Sequence, residues 1–374
     1  MKENRLDYLD SIRGLAAFSV LIYHFIFSLD TFHYWDGSVI QYYLAMIFNG
    51  ADAVSLFFVL SGLVLSYKYF NSENNKLSLN YSSFVIQRIF RIYPAFLVMI
   101  CIYFLYVQRD YLSIDFFYNS LVHEDHNFLR EALLIKGVHN YYIPGWTLGV
   151  EMALSLFVPV FVIIAVKSTK MLYWLIAISF IMSSIVSMFL FHFLLGILIG
   201  KKFEVIKNYD FNSSKIYKVR WVVYFLVFIL YSIRFIDHIS PLGAYYTLPE
   251  YYLGLSFFQI TGVASYFILL KAINSMYWQN ILRWNPLLFL GKISYSLYLT
   301  HWFAVFCVFV PRPDKLAHWI HLDEHPYLAG FIICIPLTIL MSFILYHSIE
   351  KPFNLLGKKI SKKYFPDNSN GVTV

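Results

Sequence analysis

The chain has 374 residues, of which 59% are apolar and 14% charged, and its mean hydropathy is +0.60. A soluble fold of that length cannot hide so much apolar surface, so composition excludes an ordinary globular enzyme and predicts a polytopic helical membrane protein. The net charge of +7 belongs first to membrane topology, because lysine and arginine collect in cytoplasmic loops, and it carries no argument for nucleic acid.

The opening MKENRLDYLD is too charged for a cleavable leader, and the apolar run behind it continues as helix. In chain order, ten segments approach the roughly 20 apolar residues a bilayer requires: 11–30, 42–66, 92–108, 146–166, 171–188, 189–200 with its flanks, 221–236, 251–270, 286–310 and 328–348. The stretch 171–200 reads either as one long helix or as two short ones turning near SSIVS. Two spans keep the lysines after residue 200 and the lysine-rich C-terminal segment on the cytoplasmic side, with most of the 29 lysines and arginines. The expected fold is therefore an all-α bundle of about ten transmembrane helices with both ends in the cytoplasm. Residues 1–353 form the membrane domain and 354–374 a basic tail. Cys101, Cys307 and Cys334 lie far apart in apolar runs and read as small core residues.

The first span carries Arg13 and, eleven residues on, His24. At 3.6 residues per turn these share a helix face to within about 20°, about 16 Å apart along the axis, with Ala17 and Val20 keeping the stripe between them narrow. Ionisable groups at such depth usually face a bundle interior or a watery cavity. A snorkelling arginine and a hydrogen-bonded bundle histidine would satisfy this stretch equally well.

Further motifs follow. AVSLFFVLSGL at 53–63 interrupts an apolar helix with Ser61 and Gly62. RIFRIYP at 88–94 sets Arg88 and Arg91 three apart before Pro94, which suits the start of the third span. PGWTLGVE at 144–151 places Glu151 about two turns inside the fourth. GKISYSLYLTHW at 291–302 and SIEKPF at 348–353 close the series.

Together and in this order, these segments resemble the acyltransferase-3 family of integral membrane acyltransferases, from about residue 7 to 353. Arg13 and His24 match the family's arginine–histidine pair, and Arg88, Arg91 and Pro94 its arginine-x-x-arginine motif. Trp146, Thr147, Leu148 and Glu151 match its tryptophan–glutamate motif, and Glu350 with Pro352 its late glutamate-x-proline. Ser55 departs, since many members carry a carboxylate there, and no hydrolase-like domain of the kind fused to some members is expected.

The resemblance implies transfer of an acyl group, most commonly acetyl, from cytoplasmic acyl-CoA to a hydroxyl of a cell-surface polysaccharide or lipid-linked sugar, in a bacterial cytoplasmic membrane. Acyl-CoA would be a substrate; no permanently bound cofactor or metal is expected. The catalytic candidates are His24, Arg13 and Glu151, and the substrate-binding candidates Arg88, Arg91, Trp146, His301 and Tyr295. The chemistry suits the residues. Arginines grip phosphate with a planar fork of donors, and a neutral histidine can take a hydroxyl proton or carry the acyl group itself. Glu151 would orient His24 or bind the acceptor, and Trp146 would stack on sugar or simply sit at the membrane interface. The histidine clusters HEDH (123–126) and HWIHLDEH (318–325) read as solvated loops rather than metal centres. The competing function is a transporter or exporter of carbohydrate or acylated intermediates, which would not obviously require the aligned Arg13 and His24.

Overall fold

The computed structural model describes residues 6–28, 40–70, 80–107, 109, 128–134, 142–183, 189–211, 213–239 and 257–366. Every regular element among them is helical. In chain order the principal helices are α1 (Asp7–Ser28), α2 (Gly50–Phe70), α3 (Tyr81–Val107), α4 (Gly145–Lys167), α5 (Thr169–Ile181), α6 (Leu190–Lys201), α7 (Arg220–Ile239), α8 (Phe257–Asn274), α9 (Asn285–Phe303), α10 (Pro326–Leu345) and α11 (Lys351–Tyr364). π-helical turns extend α9 over Ala304–Phe309 and join α10 to α11 over Tyr346–Glu350.

The chain is a multi-pass membrane protein. Among the described residues, six helical segments are long and apolar enough to cross a bilayer: Asp7–Ser28, Ile40–Phe70, Tyr81–Val107, Gly145–Lys167, Phe257–Asn274 and Pro326–Tyr364. The bent pair Asn285–Phe309 and Pro313–Trp319, at 87°, makes a seventh if taken as one span. Each of the ten expected spans overlaps at least one helix, the 42–66 span covering both Ile40–Ile47 and Gly50–Phe70, but not all have the length. Helix α5 has 13 residues and α6 has 12, so each rises only about 20 Å against a hydrocarbon core of about 30 Å. They are nevertheless two helices. Leu172 near the start of α5 clusters with Leu194, Ile197 and Leu198 toward the end of α6, so the chain doubles back.

Helix α3 begins at Tyr81 rather than 92, so Arg88, Arg91 and Pro94 lie inside it. The extra turns are held by the far end of the chain: Gly357 of α11 packs on Phe90, the Ser83 and Ser361 hydroxyls bond each other, and Gln87 donates to Ser361 Oγ at 2.8 Å. The segment after Glu350 continues from α10 as α11 through residue 364, amphipathic, with Gly357 and Ser361 buried and its lysines exposed.

Helix α1 sits at the centre, wedged along α9 and against α2, which in turn packs on α6. The α1–α9 crossing passes through Gly14 and Gly291. A methyl group on Gly14 would lie 2.6 Å from the Leu290 carbonyl carbon, so only glycine permits this approach.

Candidate active site

One partly buried carboxylate, that of Glu151, organises the arginine end. Arg88, 5% exposed, donates from Nη2 to Glu151 Oε1 at 2.7 Å, and Ser61 Oγ donates to the same oxygen at 3.2 Å. The pair ties α3 and α2 to the first turns of α4, where Thr147 donates to the Pro144 carbonyl at 3.0 Å. Arg13, Arg88, Arg91, Glu151 and Tyr295 all line one cavity of about 800 Å³, open mouth included, walled by Phe57, Phe58, Leu148 and Tyr298. Arg13 also contacts Asp10 at 3.1 Å. Tyr295 donates to the Ile92 carbonyl at 2.6 Å, pinning α9 to α3 beside Arg91. Arg88 Nε is buried without a hydrogen-bond partner. Three guanidinium groups and the Glu151 carboxylate therefore line the cavity, with Asp10 pairing Arg13 outside the lining, an excess of donors suited to an anionic ligand.

Further along α1 lies a second cluster. The His24 and His301 rings are 5.0 Å apart, centroid to centroid, with Trp302 and Phe306 edge-on to His24 at 5.4 and 6.2 Å. His24 Nδ1 lies 2.9 Å from the Val20 carbonyl, and His301 Nδ1 lies 2.5 Å from the Tyr298 carbonyl. A carbonyl only accepts, so in both rings Nδ1 carries the proton and Nε2 is the basic nitrogen. His301 is 1% exposed, and its Nε2 has no hydrogen-bond partner. Ala17 and Val20, both buried, fill the stripe of α1 between Arg13 and His24.

Five of the eight sequence-derived candidates thus share the cavity, and two form the histidine pair. Glu151 pairs with Arg88 rather than orienting His24. Trp146 belongs to neither group: it packs on Phe189 at 5.6 Å. Glu350 accepts from Ser296 at 2.6 Å, holding the π-helical turn against α9. His318 pairs with Asp323 at the surface, no three potential ligands converge among the described residues, and residues 123–126 lie outside them.

The structure adds residues that the motifs did not single out. Asp52, fully buried, accepts two bonds from Arg234, at 3.0 and 3.2 Å, and one from Asn49. Arg234 stacks over Phe257 and Phe258. Asp52 lies one turn before Ser55, whose hydroxyl is taken by Thr261. The signal was present as opposite charges in two apolar runs, but nothing in one sequence pairs α2 with α7.

This apolar helical bundle thus gathers three arginines and a carboxylate at one level of α1 and two imidazoles at another. The chain belongs to the acyltransferase-3 family, whose acyltransferase-domain profile matches residues 6–347. It is similar to a protein of Staphylococcus aureus (strain COL) named "Putative O-acetyltransferase", 24% identical over 382 residues, covering 94% of this chain and 58% of that protein. It is also similar to a "Putative peptidoglycan O-acetyltransferase" of Bacillus subtilis (strain 168), 23% identical over 398 residues, covering 96% and 56%. The chain therefore spans little more than half the length of these relatives. No solved structure matches it.

Proposed function

We propose that this chain is a bacterial membrane O-acyltransferase that moves an acyl group, most commonly acetyl, from cytoplasmic acyl-CoA to a hydroxyl of a cell-surface polysaccharide or lipid-linked sugar. The observation that carries the proposal is the placement of an arginine-lined cavity and a pair of basic imidazoles at two levels of one central helix. The family supports acyl transfer, and the names of the relatives favour acetyl and a glycan such as peptidoglycan as acceptor. The proposed topology has ten crossings with both ends cytoplasmic, which puts Arg13, Arg88, Arg91 and the lysines of α11 on the inner side.

In this reading the arginines hold the phosphates of CoA, with Arg88 kept in place by Glu151. The thioester extends toward His24. His24 Nε2 takes the proton of the acceptor hydroxyl as its oxygen attacks the acyl carbon. The C–O ester bond forms, the C–S bond breaks, and the proton passes to the departing CoA thiolate. The Val20 carbonyl fixes the tautomer that makes Nε2 the base. His301 Nε2, buried and unpartnered, accepts a hydrogen bond from a second hydroxyl of the sugar. Carriage of the acyl group on His24 itself would use the same nitrogen.

The test uses the full chain in lipid vesicles with radiolabelled acetyl-CoA and a cell-envelope glycan fraction. Wild type labels the glycan, and folded His24→Ala loses transfer by about a hundredfold or more. Equal labelling by the two proteins contradicts the role of His24. Passage of glycan across the vesicle without labelling supports an exporter instead.

A further inference from the structure

The arginine cavity and the histidine pair meet at one side chain. Tyr298 lines the cavity, and its ring lies 5.5 Å from that of His301. Phe57, also a wall of the cavity, packs edge-on against Tyr298 at 5.9 Å. The hydroxyl of Tyr298 is fixed as well. It lies 2.7 Å from Thr147 Oγ1, and the single proton of Thr147 is already directed at the Pro144 carbonyl. The bond therefore runs from the tyrosine O–H to the threonine oxygen. Tyr298 is 9% exposed, so its ring is held by a hydrogen bond at the tip and aromatic packing on its sides.

We propose that Tyr298, anchored by Thr147, is the partition between the donor cavity and the histidine pair, and that it restricts the donor to short acyl groups. This rests on the acyl-CoA donor of the proposed function. If the phosphates stay at the arginines, the thioester reaches His24 only past the Tyr298 ring. Beyond that ring His24, His301, Trp302 and Phe306 pack together, the last two rings 4.0 Å apart. A two-carbon acyl group needs little room there. Each further methylene must displace an aromatic side chain or lie back along Tyr298. Thr147 and Tyr298 are then positioning residues that define the length of the acyl group, a role separate from phosphate binding and from proton transfer.

The experiment compares acetyl-CoA with hexanoyl-CoA on the full chain in lipid nanodiscs, by transfer to the glycan fraction and by displacement of bound labelled acetyl-CoA. Tyr298→Ala is expected to raise the hexanoyl-to-acetyl ratio, in kcat/KM or in affinity, by about tenfold or more, since rejection of added methylenes is worth at least that. Tyr298→Phe keeps the ring but loses the anchoring O–H, so it shifts the ratio in the direction of Tyr298→Ala, by about threefold or less. Thr147→Val shifts it in the direction of Tyr298→Ala, and Thr147→Ser restores it. The affinity ratio remains readable in a variant that has lost turnover. Wild-type ratios in Tyr298→Ala, with acetyl-CoA still bound, overturn the partition while leaving the acyltransferase reading intact. Failure of wild type to bind or use either acyl-CoA overturns both.

Discussion

An arginine inside an apolar bundle is tolerated only when its charge is met. Arg88 and Glu151 meet each other at 2.7 Å with Ser61 as a third member. Breaking such a pair from one side costs about 3–5 kcal/mol, because the remaining charge stays buried, whereas replacing both partners with apolar groups is often neutral. Glu151→Leu is therefore expected to unfold far more readily in detergent than Arg88→Met/Glu151→Leu, and the double variant is expected to fold yet bind acyl-CoA poorly. Thermal unfolding followed by acyl-CoA titration measures both. A double variant no more stable than Glu151→Leu means the two charges are not coupled. Arg13 and His24 could be placed on one face from their spacing alone, because both sit on α1 and helical periodicity relates them. The partner of Glu151 could not be found that way. It depends on the register between α3 and α4, to which no local pattern refers, and the same holds for Asp52 and Arg234.

At the scale of elements, the site depends on how closely α1 approaches α9. Gly14 and Gly291 let the two backbones touch, and this contact sets His24 beside His301 further along the same helices. A methyl group at Gly291 would lie 2.6 Å from the Asp10 carbonyl group, backbone that cannot swing aside. Gly291→Val is expected to cost about 1–3 kcal/mol through overpacking and to reduce transfer in the protein that still folds, by parting the histidines. Unfolding monitored by tryptophan fluorescence in detergent checks this, and an unchanged midpoint contradicts the close crossing. Hydropathy located α1, α4 and α10 well because each is a long apolar run between polar breaks. It misplaced the start of α3, since YSSFVIQRIF is too polar to read as membrane helix. That segment is helical because α11 packs on it, a contact between residues more than 250 positions apart.

For the whole molecule, composition alone set the class, and the order of five short motifs pointed to the family that the domain profile identifies. What composition could not supply was the length of each helix. Helices α5 and α6 are each about 10 Å short of the hydrocarbon thickness, so in the proposed ten-span topology the bilayer thins beside them or flanking residues complete the crossing. The central claim concerns sidedness: donor phosphates at the arginine end, chemistry at His24, acceptor reached from the opposite face. Vesicles of one insertion orientation, fixed by protease access to a tag after α11, allow a direct measurement. Radiolabelled acetyl-CoA is supplied to one face and the glycan acceptor to the other. The account predicts labelled glycan only when acetyl-CoA is on the face that exposes α11 and the glycan is on the opposite face. Equal labelling with the two substrates exchanged, or labelling only when both are on the face opposite α11, would contradict it.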